Sequence, residues 1–143
     1  MKLILILAFT QISLNGYCDT LDFWHVYVND KLIAEFNDLS KDLEISLKKN
    51  DIKNTDLITV RYGNDHPCFD CTYGLFAFAE IMQKLPEVQT SDHFSKLSIP
   101  LKKLLEIRKR EGINSFRFIY YEKSKEGKTN YERFLFRLTI KEE

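Results

Sequence analysis

The chain is poor in the residues that mark several protein classes. Five glycines and three prolines among 143 residues exclude collagen-like and low-complexity architectures. An excess of one charge sign is missing too: Lys plus Arg and Asp plus Glu both stand at 21. That balance leaves no electrostatic footprint for nucleic acid or an anionic membrane surface. No phosphate-cradling glycine loop, no His-Glu-x-x-His helix and no Gly-x-Ser-x-Gly elbow occurs, so none of the chemistries tied to those motifs is indicated. There is no internal repeat and no dividing linker. What the chain does have is apolar and aromatic material, 44% and 13% respectively, enough for one packed core.

The first residues read as an export signal. Lys2 precedes the mostly apolar stretch 3–14, which is of leader length but short for a bilayer. Gly16 and Cys18 occupy the −3 and −1 positions of a cut before Asp19, giving a cleavable signal peptide over 1–18 and a single domain over 19–143. A lipoprotein anchor through Cys18 is disfavoured, because Tyr17 is bulky where acylation sites carry small residues. No later segment is long and apolar enough to span a membrane. The expected location is therefore extracytoplasmic, in a periplasm or secreted space.

Beyond the leader, alternation dominates. Phe23-Trp24-His25-Val26-Tyr27-Val28 suits a half-buried strand, and Asn29-Asp30 tolerates the positive φ of a tight hairpin into 31–36. Residues 43–47, 57–62 and 72–81 continue the strand pattern, with a further short strand at 96–99. Residues 84–95 read mainly as loop. Pro100, Leu101, Leu104, Leu105 and Gly112 outline one helix. Phe116, Phe118 and Tyr120 and then Phe134, Phe136, Leu138 and Ile140 mark a final hairpin around Gly127. The expected class is mainly β: a two-layer antiparallel β-sandwich of about seven strands with one short helix before the C-terminal hairpin, or alternatively a small open β-barrel.

The most distinctive motif is His66-Pro67-Cys68-Phe69-Asp70-Cys71. In an oxidising compartment Cys68 and Cys71 close a disulfide clip between two strands. Two other readings compete. His66, Cys68 and Cys71 form a metal set that zinc would accept, with His25 or His93 as fourth ligand, although one Cys pair is half a structural zinc signature. The same three residues form a thiol-redox centre if one thiol is activated, but Asp65 and Asp70 oppose a thiolate and no βαβ context surrounds them. Zinc aside, no cofactor is indicated. Ser91-Asp92-His93 holds the residue types of a hydrolytic triad, but adjacent positions rarely converge on one reacting atom. No catalytic residue is assigned. Arg117, Tyr121, Tyr131, Arg133 and Arg137 punctuate the last hairpin and would form a partner surface if they share its outer face.

At the hairpin Asp22-Phe23-Trp24-His25-Val26-Tyr27-Val28-Asn29 and the segment Pro67-Cys68-Phe69-Asp70-Cys71, the chain resembles small exported, uncharacterised β-rich proteins of Bacteroidota bacteria. The resemblance implies a bacterial envelope setting and carries no catalytic residue. The expected function is a non-enzymatic binding protein for an envelope component or another protein, with the metal or thiol-redox reading as its alternative.

Overall fold

The computed structural model describes residues 21–64, 66–79 and 86–142. The leader, its cut before Asp19 and Cys18 lie outside the described residues, as do Asp65 and the last two positions of the strand expected over 72–81.

Two sheets make the fold. In chain order the strands are β1 (Phe23–Val28), β2 (Lys31–Asn37), β3 (Glu44–Lys48), β4 (Leu57–Gly63), β5 (Thr72–Phe78), β6 (Glu87–Thr90) and β7 (Lys96–Pro100). Helix α1 (Leu101–Glu111) follows, then β8 (Ser115–Lys123) and β9 (Thr129–Lys141). One sheet has the order β2-β1-β4-β7 and the other β3-β9-β8-β5-β6. Among the described residues this is a β-sandwich with one α-helix, and the sheets do not close into a barrel.

The nine strands among the described residues exceed the seven or so that alternation marks. Strand β6 falls in the segment expected to be loop, and Val88 is the one apolar side chain among its four residues. It forms because its backbone adds to the edge of β5, pairing Glu87–Thr90 with Tyr73–Phe76. Strand β3 runs parallel to β9, the one parallel pair among the described strands.

Local chemistry ties the first sheet to the helix. Asn29 takes a positive φ of 55° in the β1–β2 turn, and its side-chain amide donates to Asp56 at 3.1 Å. The Asp56 carboxylate also accepts the Lys53 N–H at 2.8 Å. That backbone hydrogen bond and then the Asn29 amide hold its carboxyl below the ordinary aspartate value. The Asp56 carbonyl in turn accepts the Leu101 N–H at 2.9 Å, satisfying a donor at the start of α1 that the helix itself cannot. Pro100 caps the helix and Gly112 ends it at φ 72°, a left-handed position that glycine takes without strain. Leu101, Leu104 and Ile107 are its buried face, each contributing about 1.5–3 kcal/mol relative to exposure.

Between the sheets, matching rows of side chains meet. Phe36, Trp24 and Tyr62 stand in register across β2, β1 and β4. Opposite them, Leu75, Tyr120 and Arg133 form one row across β5, β8 and β9, and Tyr73, Glu122 and Tyr131 form the next. Tyr62 stacks on Tyr120 with ring centroids 4.1 Å apart, and the Trp24 indole N–H donates to the Leu135 carbonyl at 3.1 Å. The inter-sheet space is thus apolar around Phe116, Phe118, Phe136 and Leu138 and turns polar towards the row that holds Glu122.

Candidate functional site

A bulge in β9 creates the polar end of the sandwich. Phe118 faces Phe136 but Ile119 faces Phe134, so Leu135 is the extra residue and the inward phase of β9 changes there. Beyond it, Phe134 turns outward beneath the Arg117 guanidinium, 4.9 Å from its ring centroid. Arg133 and Tyr131 turn inward, opposite Tyr120 and Glu122. A strict alternation places Arg133 outside with Arg117 and Arg137.

Arg133 therefore joins an internal network. Its guanidinium lies 2.8 Å from Asp22, pairs with Asp38 and sits over the Trp24 ring at 5.3 Å. Asp22 also accepts the hydroxyls of Tyr62 at 2.5 Å and Tyr131 at 3.2 Å. Burial is the first cause that raises the phenols of Tyr62, Tyr120 and Tyr131 above the ordinary tyrosine value, and neighbouring carboxylates add to it.

Next to this network lies Glu122, a carboxylate only 4% exposed. It accepts the Asn64 amide and the Tyr120 hydroxyl, each at 3.0 Å. Asp22, Asn64, His66, Glu122, Asn130 and Tyr131 line a pocket of about 310 Å³. Such a space suits a small group or a single side chain rather than a large ligand.

The 66–71 loop forms the neighbouring wall. Cys68 and Cys71 are joined in a disulfide with their Cα atoms 5.4 Å apart. A turn closed by the Cys71 N–H on the Cys68 carbonyl at 3.1 Å holds them, and the Tyr73 hydroxyl donates to that same carbonyl. Lys125 at the β8–β9 tip reaches Asp70 at 2.7 Å, and Asn130 donates to the Cys71 sulfur at 3.6 Å. Between the two cysteines Phe69 is 84% exposed. The clip thus pins the β4–β5 connection against the tip of the last hairpin.

The residues singled out from sequence separate accordingly. His66 lines the pocket, beside the disulfide. His25 lies on the outer face of β1, 3.4 Å from Glu35. His93 packs with Phe69, Tyr73 and Phe94. The acidic group that stands with both cysteine sulfurs is Glu122, within 4.8 Å, and the sequence pattern gives no hint of it. Ser91, Asp92 and His93 occupy a turn after β6.

The condition for a partner surface on the last hairpin, that Arg117, Tyr121, Tyr131, Arg133 and Arg137 share its outer face, is not met. Arg117 is exposed and stands opposite Arg137, which pairs with Glu44 on β3 at 3.2 Å. Tyr131 and Arg133 are internal, as described. Tyr121 is buried on the outer side of the sheet, where its ring lies against Gly74 and its hydroxyl donates to Glu87. The bulge and the glycine, neither visible as a break in alternation, separate them.

Comparison with protein-family models and with curated proteins finds no match.

Proposed function

We propose that this protein is an exported, non-enzymatic β-sandwich of the bacterial envelope or secreted space, and that it binds a basic group of its partner in the pocket beside the Cys68–Cys71 clip. The observation that carries this reading is the electrostatic asymmetry of the two carboxylates in the pocket wall. Asp22 is matched by the Arg133 cation, whereas the hydrogen-bond donors to Glu122 among the described residues, Asn64 and Tyr120, are neutral. An ammonium or guanidinium entering the pocket would complete Glu122 with a charge-assisted hydrogen bond. Asn64, just after β4, and Asn130 and Tyr131, on β9, supply further polar groups in the pocket wall. The disulfide fits an oxidising compartment, and no helix among the described residues is long and apolar enough to cross a membrane.

The test is calorimetric titration of the oxidised protein with Nα-acetyl-lysine methylamide and Nα-acetyl-arginine methylamide, with the glutamate analogue as control. Saturable binding of a basic probe is expected, weakened by about tenfold or more in Glu122→Gln, equivalent to at least about 1.4 kcal/mol. No saturable binding, or equal binding of the acidic probe, contradicts the proposal.

A further inference from the structure

We infer that reduction of the Cys68–Cys71 disulfide converts its two sulfurs, together with Glu122, into a site for a borderline divalent cation of the zinc class. The inference goes beyond the binding of a basic group and does not depend on it. Its basis is convergence: the two sulfurs and a Glu122 carboxylate oxygen all lie within 4.8 Å of one another. A tetrahedral ion with Zn–S near 2.3 Å and Zn–O near 2.1 Å needs ligand atoms about 3.5–3.8 Å apart. Side-chain rotation therefore suffices once the S–S bond has opened.

The surroundings suit that chemistry. The cysteines have the C-x2-C spacing that chelates such ions and are held in one hydrogen-bonded turn. Asn130 already directs an amide donor at the Cys71 sulfur, where it would stabilise a thiolate. Glu122 is fixed by Asn64 and Tyr120, so its orientation is set before any cation arrives. It also lines the pocket, which gives the ion a route from solvent. The sequence pattern offers His66 as the third ligand, whereas the structure brings Glu122 to both sulfurs.

The electrons and protons balance with an external phosphine reductant and water. The disulfide takes up two electrons from the phosphine and two protons from water and becomes two thiols, while the phosphine takes the water oxygen and leaves as its oxide. Cation binding then releases the two thiol protons to solvent, leaving two thiolates and one carboxylate around the dication. The oxidised pair offers no thiolate, so the site exists only in the reduced protein.

The experiment is an anaerobic titration of the protein, oxidised and then phosphine-reduced, with Co²⁺ as the optical probe and Zn²⁺ as competitor. The reduced protein is expected to develop thiolate-to-cobalt charge-transfer absorption that Zn²⁺ abolishes, and the oxidised protein none. Glu122→Gln should keep the absorption but weaken binding by about tenfold or more, and Cys68→Ser should abolish it. Buried Trp24 reports by its fluorescence whether the reduced chain stays folded. Absence of the charge-transfer band overturns the inference, as does unchanged affinity in Glu122→Gln. It also fails if the reduced chain unfolds and the cation does not restore the Trp24 signal. Loss of amine-probe binding with retention of the cobalt signal would sink the proposed function alone.

Discussion

Replacing Arg133 with methionine removes a cation and leaves an apolar stem of similar length, which isolates the charge from the packing. The guanidinium is 26% exposed and its partners Asp22 and Asp38 are 16% and 30% exposed, so the network is neither a surface pair nor a dry one. Exposed pairs contribute about 0.2–1 kcal/mol, and breaking a fully buried pair costs about 3–5 kcal/mol. With solvent screening at this exposure, the loss falls near 2 kcal/mol. Removing the cation from over Trp24 adds about 0.5–1 kcal/mol. The total is about 3 kcal/mol, or about 10 °C in Tm for a domain of this size. Urea unfolding followed by Trp24 fluorescence measures it, and a double-mutant cycle with Asp22→Asn should return a coupling of about 1–2 kcal/mol. A loss below about 0.5 kcal/mol, the usual range for a surface substitution, would mean that Arg133 lies on a solvated face and that the bulge at Leu135 does not turn it inward.

Three further outcomes follow from the same packing. Tyr62, Tyr73, Tyr120, Tyr121 and Tyr131 all hold their protons above the ordinary tyrosine value, chiefly through burial. Their contribution to stability is therefore complete below the unfolded value of 10.0 and is lost as pH rises beyond it, because only the unfolded chain then releases those protons. Phenolate absorbance should appear together with loss of the near-ultraviolet dichroism, and free titration of all five near pH 10 in an intact fold would refute this. Gly74→Ala would place a Cβ 2.0 Å from the Tyr121 ring. It should cost about 2 kcal/mol, and that cost should disappear in a Tyr121→Ala background. Cys68→Ser with Cys71→Ser should lower stability by about 2 kcal/mol, since the closed loop is short; no change in the urea midpoint would show that the clip constrains nothing.

Most of the architecture was legible because its signals are local. The Asn29 turn, the Pro100 and Gly112 helix limits and the alternation of Phe116, Phe118 and Tyr120 depend on a few adjacent residues. Strand β6 was not legible, since it owes its pairing to the edge of β5 rather than to its own composition. The parallel β3–β9 pair was hidden for a similar reason, because strand direction within a sheet leaves no mark on alternation. At the site, the Cys68–Cys71 motif was visible but its companion was not. Glu122 follows Tyr120 and Tyr121 in what looks like the end of an ordinary strand, and only pairing with Tyr73 and Tyr131 brings it against the disulfide. The inward turn of Arg133 was not legible, because one extra residue, Leu135, reverses the phase of β9 without disturbing its apolar count.

The most direct measurement on the pocket is the map of backbone amide shifts as the oxidised, isotope-labelled protein is titrated with Nα-acetyl-lysine methylamide. The expected map concentrates saturable shifts at Asn64, His66, Glu122, Asn130 and Tyr131, leaves β2 and α1 unmoved, and collapses in Glu122→Gln. Shifts spread over the outer faces of the sheets, or unchanged in that variant, would contradict the pocket as the binding site.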